Sequence, residues 1–175
     1  MKKPITKWVI VAILILFIAY SGFATYKWLE AERIGEGIES VMLNDAIYLS
    51  DIPLLELRAL DFVAEYWIKP DTTDEFLREE LLKYFFHART LYYSSGMLRA
   101  LTDDEKYSLF GTAMFNLRDF FLEVRDRPNR KEILTTNLDA LKQMDNVFEE
   151  ILGINNLTLA DAEKILQLSG NLTAG

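Results

Sequence analysis

The chain has 175 residues, half of them apolar and 13% aromatic, which gives it the means to pack a core and argues against disorder. It has no cysteine, which rules out disulfides, thiolate metal sites, thiol nucleophiles and a lipid-modified cysteine anchor. Four of the 19 basic residues (Lys2, Lys3, Lys7, Lys27) and none of the 27 acidic ones precede Trp28; the remainder carries 15 cations against 27 anions, a net −12, and so repels phosphate backbones, which makes nucleic acid an unexpected partner.

From Trp8 to Tyr26 no side chain is charged. As a helix this run is about 28 Å long, close to the hydrocarbon thickness of a bilayer. Trp8 at one end and Tyr26 and Trp28 at the other fit the aromatic belt at headgroup level. The run therefore predicts a single transmembrane signal-anchor over 8–27, behind a basic cytoplasmic tail at 1–7. Lys2, Lys3 and Lys7 place the amino terminus inside and residues 28–175 outside as an extracytoplasmic domain. The competing expectation is a signal peptide cleaved near Ser21 or Ala24, where small residues occupy the positions a signal peptidase reads. The length of the apolar run favours retention. In either case the lipid bilayer is a partner of the opening segment.

Beyond the run, Ile34, Ile38, Val41, Tyr48 and Leu49 recur at helical spacing, interrupted by Asp45, and mark the apolar face of an amphipathic helix. Gly35 and Gly37 within it read as a flexible joint, or as close packing or a kink. Ser50-Asp51 before Pro53 predicts a new helix, because proline in a first turn gives up no needed donor. That helix carries Leu55, Ala59, Phe62 and Tyr66 on one stripe, with Leu60, Val63 and Trp67 beside it, and stops before Pro70. A third helix opens on "DTTDEF" and runs to about Ser95. Its stripe is Leu77, Leu81, Tyr84, Ala88 and Leu91, and its second face carries Phe85, Phe86, Tyr92 and Tyr93; two apolar sides predict the central helix of a bundle. "TDDE" at 102–105 reads as a capping box for a fourth helix with Phe110, Met114, Leu117, Phe121 and Val124 inward. Asn129 with Glu132 predicts the start of a fifth, presenting Leu134, Leu138, Leu141, Phe148 and Ile151 and stopped by a left-handed Gly153. A short sixth runs from a Thr158 cap to about Gly170. The fold class expected is all-α: one N-terminal transmembrane helix followed by an up-and-down antiparallel bundle of about five helices.

Chemistry is hard to find in this sequence. His87 is the single histidine, so two-histidine zinc helices and di-iron bundle sites are excluded, and neither catalytic residues nor a metal or cofactor site are expected. The aromatics around Tyr84, Phe85, His87 and Tyr92 outline a candidate ligand pocket, although rings at helical spacing usually build core. Arg125, Arg127, Arg130 and Lys131 crowd one interhelical loop as a candidate patch for a protein partner or an anion. Asn156 and Asn171 begin sequons in terminal loops. The expected function is that of a membrane-anchored, non-catalytic helical module acting by protein contact, an accessory or scaffolding subunit of an envelope complex. The alternative is a ligand-sensing or solute-binding domain that uses the aromatic pocket and signals through a partner.

Overall fold

A computed structural model describes the backbone of residues 5–174 and the side chains of residues 17–174. The first residues of the basic tail and the side chain of Trp8 lie outside that description. Helix α1 spans Ile5–Leu57, α2 Leu60–Trp67, α3 Asp74–Thr102, α4 Glu105–Asp126, α5 Arg130–Glu150 and α6 Leu159–Gly170, with one 3₁₀ turn at Ile154–Asn156. Among the described residues there is no strand, as the helical spacing of the apolar residues requires.

Two compact units divide the chain, Met1–Val41 and Met42–Gly175. In the first, the large side chains from Phe17 to Trp28 are all exposed, among them Phe17, Ile18, Tyr20 and Phe23. Among the described residues no helix is long and apolar enough to cross a membrane; residues 8–16 of the apolar run lie outside the described side chains. The helix runs unbroken through Gly35 and Gly37, and no neighbouring atom stands within 4 Å of where a Cβ would sit on either. Close packing therefore does not explain them.

The second unit is a helical bundle. α4 packs against α3, α5 and α6, so α4 and not α3 occupies the centre, and α5 lies chiefly along α2 and α6. The stripes of α3 and α4 point inward as spaced: Leu77, Leu81, Tyr84, Ala88 and Leu91 face Phe110, Met114, Leu117, Phe121 and Val124 in one core. Trp67 is fully buried there, edge-on to Tyr84 at 5.0 Å and to Phe121 at 6.1 Å. The carboxyl-terminal strap is held by Asn137 of α5, whose amide donates to the Thr173 carbonyl and accepts from its N–H.

Several ends differ from the sequence expectation. Pro53 does not start a helix; it lies inside α1, which ends at Leu57. The true break comes at Arg58-Ala59, and α2 has no capping side chain of its own. Its cap is supplied from α5, where the buried Asp145 carboxylate accepts from the Leu60 N–H at 2.7 Å, while the Arg58 guanidinium donates to the Ile151 carbonyl. At the next expected box, Thr102 is still helical and its hydroxyl donates back to Leu98; Asp103 takes the left-handed conformation (φ 55°) and Asp104 caps α4. Asn129 precedes α5 without a side-chain cap bond. Gly153 is extended at φ −169°, not left-handed; a Cβ there would come within 2.8 Å of the Asn155 amide oxygen. The Thr158 cap forms as expected, as a full capping box with Asp161.

The stripes of α1 and α2 give the largest difference. In the bundle, α1 buries Ala46, Leu54 and Leu57, with the Ser50 hydroxyl satisfied by the Ala46 carbonyl. In α2 the inward residues are Leu60, Ala64 and Trp67. Tyr48, Leu49, Ile52, Leu55, Phe62 and Tyr66, the most regular apolar pattern of the region, face outward.

Candidate functional site

Of the four residues proposed from sequence for a pocket, Tyr84 and His87 pack edge-on against each other, and the four do not line one cavity. Tyr84 is core: its hydroxyl donates to the Glu56 carbonyl at 3.3 Å, and burial pushes the phenol pKa well above its ordinary value. His87 lies edge-on to Tyr84 at 5.9 Å, with Nε2 buried and unpartnered. Burial is the main cause holding its pKa below the usual imidazole value; Glu56 pulls the other way and Lys83 pushes with the burial. Half-buried, with its ring edge against Tyr84, His87 packs at the margin of the core. Phe85 packs edge-on with Phe86 at 5.2 Å on another side of α3. Only Tyr92 reaches an open site.

That site is a groove of about 540 Å³ between α3 and α4. Tyr92, Tyr93 and Met97 line it from α3, Tyr107 and Gly111 from α4, and Met42 of α1 stands at its edge. Gly96 sits in the middle of α3 and also lines the groove, yet a Cβ on it would meet nothing within 4 Å. No packing contact demands a glycine there, although glycine weakens a helix. Gly111 is different: a Cβ there would lie 3.4 Å from the Ser95 Cβ, in van der Waals contact across the α3–α4 interface. Gly96→Ala is therefore expected to stabilise the bundle by about 1 kcal/mol, read as a rise in thermal midpoint. At the rim Arg99 pairs with Asp103, which is exposed and contributes little to stability. Gly96, Met97 and Tyr107 were not singled out from sequence; a glycine inside the helical run "SSGML" was the signal available.

The basic loop is mostly committed within the fold. Arg130 is buried and pairs with Asp74 at 2.7 Å, which holds the Asp74 carboxyl below the ordinary range. Lys131 donates to the carbonyls of Lys69 (2.9 Å) and Thr72 (2.6 Å), clamping the α2–α3 connection. Arg125 pairs with the adjacent Asp126 at 2.9 Å. Arg127, at the end of α4, has no ion pair among the described residues, so one cation of the four is free for an anion. Asn156 and Asn171 are both exposed, but the Thr158 hydroxyl of the first sequon is bonded to Asp161. Tyr26 and Trp28 are exposed on α1. Among the described residues no three His, Cys, Asp or Glu side chains gather as a metal would need.

The other site is the outward face of α1 and α2. Tyr48 is 75% exposed, Ile52 66%, Leu55 61% and Phe62 72%. Single exposed apolar residues are ordinary, but Tyr48, Ile52 and Leu55 recur at three- and four-residue spacing on one side of α1, and Phe62 is exposed on α2. No known family model matches the chain, and it shows no significant similarity to any curated protein or solved structure.

Proposed function

We propose that the chain is a non-catalytic helical contact module, tethered to a membrane by its opening apolar segment and acting outside the cytoplasm as an accessory or scaffolding subunit of an envelope complex. The row Tyr48, Ile52 and Leu55 carries this reading: it is apolar, exposed and lies opposite the face of α1 that the bundle covers, and Phe62 of α2 is exposed as well. The tether is supported by the uncharged run from Trp8 to Tyr26 and by the exposure of Phe17, Ile18, Tyr20 and Phe23, side chains suited to lipid. The orientation is supported by Lys2, Lys3 and Lys7.

The test is native electrophoresis of gently solubilised membranes. The wild type is expected to run in an assembly larger than its 20.3 kDa chain, and Ile52→Glu to release it while leaving the circular dichroism melt unchanged. A wild-type chain that runs alone refutes the reading. Protease added to intact cells checks the sidedness. A second reading, a ligand-sensing domain, is favoured by the α3–α4 groove, whose size and aromatic lining suit a small apolar molecule.

A further inference from the structure

We propose that the outward face of α1 receives a basic amphipathic helix from a partner protein; this rests on reading the chain as a contact module. The spacing points to a helix as occupant. In sequence, Ile38, Asp45 and Ile52 fall at one heptad position and Val41, Tyr48 and Leu55 at the other, the 3.5-residue repeat of a seam that meets a second helix. In the bundle unit the members Tyr48, Ile52 and Leu55 stand exposed, and the buried Ala46, Leu54 and Leu57 occupy the other side of the helix. Nothing within the bundle uses the seam.

Charge selects the partner. From Glu36 to Leu57 every charged side chain is acidic: Glu36, Glu39, Asp45, Asp51 and Glu56. Asp45 and Asp51 take part in no ion pair among the described residues, and Glu56 is held by Lys83 at 2.6 Å. The next cation, Arg58, is turned onto the Ile151 carbonyl. A second copy of this chain fits poorly. Two copies leaving one membrane side by side pair in parallel, which sets Asp45 against its own counterpart inside the seam and Asp51 against Glu56 across its edge. An anionic lipid surface is repelled by the same carboxylates. A helix with an apolar stripe and Lys or Arg beside it satisfies both the seam and its rim, since long cationic side chains lay their stems on apolar surface and reach the acids with their heads.

The experiment uses the full chain in phosphatidylcholine nanodiscs and two synthetic three-heptad peptides. Both carry Ile and Leu at the seam positions; one has Lys at the flanking positions and the other Glu. The Lys peptide is expected to bind roughly tenfold tighter or better, with the preference shrinking as salt rises. The double variant Asp45→Lys, Asp51→Lys changes only exposed side chains and is expected to reverse the preference. Ile52→Glu is expected to abolish binding of both peptides. Equal binding of the two peptides, or binding of neither, overturns the proposal. So does wild-type self-association lost in Ile52→Glu, which assigns the seam to a second copy. These outcomes leave the contact-module reading standing if native assembly still depends on Ile52, whereas a solitary native chain fails that reading on its own.

Discussion

Trp67→Ala is expected to destabilise the bundle by about 3–5 kcal/mol, the usual cost of emptying a large aromatic site in a core that cannot collapse around it. Trp67 is fully buried and closes an edge-to-face cluster with Tyr84 and Phe121, at interplanar angles of 88° to each. Such ring pairs add about 0.5–1.5 kcal/mol each beyond the area they bury. One term runs the other way: the indole Nε1 is buried without an acceptor, and a donor left in that state costs about 1–3 kcal/mol. Trp67→Phe keeps a ring and removes the orphan donor, so its net cost is expected to fall well below that of alanine. Thermal unfolding followed by far-UV circular dichroism checks both variants. At this chain length the alanine variant should melt roughly 10 °C lower. An alanine variant within a degree or two of wild type would mean that the Trp67 cluster does not hold the core together.

The long helices of the bundle were legible because their signals are local. The stripe of α3 and that of α4 bury the residues that their spacing assigns to one face, and Thr158 caps α6 with the partner three residues on. What failed was decided at a distance. Pro53 resembles a helix start, yet the chain breaks five residues later, where Asp145 of α5 receives the first amide of α2. No window around residue 60 contains that carboxylate. Spacing along one helix also says which residues share a face, never what lies against the face. Tyr48 and Leu49 on one stripe and Leu55, Phe62 and Tyr66 on the next were visible in sequence; that they would be left exposed depends on the rest of the bundle packing behind Ala46, Leu54 and Leu57. The aromatic quartet dispersed for a related reason. Tyr84 and Phe85 are neighbours in sequence, but a helix turns about 100° per residue and sends one into the core and the other to its half-buried margin.

The two uncovered features have different physical origins. The groove includes Gly96, which withholds a side chain from a place where one fits. The outward face exists because α1 has apolar residues on two sides and the bundle covers one. The first costs helix stability and the second costs hydration, and neither cost is recovered within the bundle. Each is a place where a local rule is broken without an internal compensation.

Asp145→Asn is expected to stabilise the protein at pH 8 by roughly 3 kcal/mol while changing little at pH 4, because the native carboxyl is raised to about 6. Burial is the main cause of the rise; the amides of Leu60 and Asp61 oppose it, and the charge of Asp61 adds to it. The unfolded carboxyl titrates near 4, so between about pH 4 and 6 the folded chain holds a proton that the unfolded chain has lost. Stability from this residue is therefore fully present below about pH 4, falls as pH rises through 6, and stays low above that. His87 acts in the opposite direction over an overlapping range: its depressed pKa contributes stability that is present above about pH 6.5 and lost on acidification. The net curve of the wild type thus mixes the two, and the informative quantity is the difference between variant and wild type across pH. Asparagine retains an oxygen to accept from Leu60 and has no charge to bury, so that difference should grow from pH 4 to 7 and then level. Asp145→Leu removes the acceptor, leaves the Leu60 amide without one, and is expected to cost about 1–3 kcal/mol at pH 4, where charge plays no part. Chemical denaturation of the three proteins at four or five pH values measures this; a variant-to-wild-type difference that is flat across pH would place the Asp145 charge in contact with water.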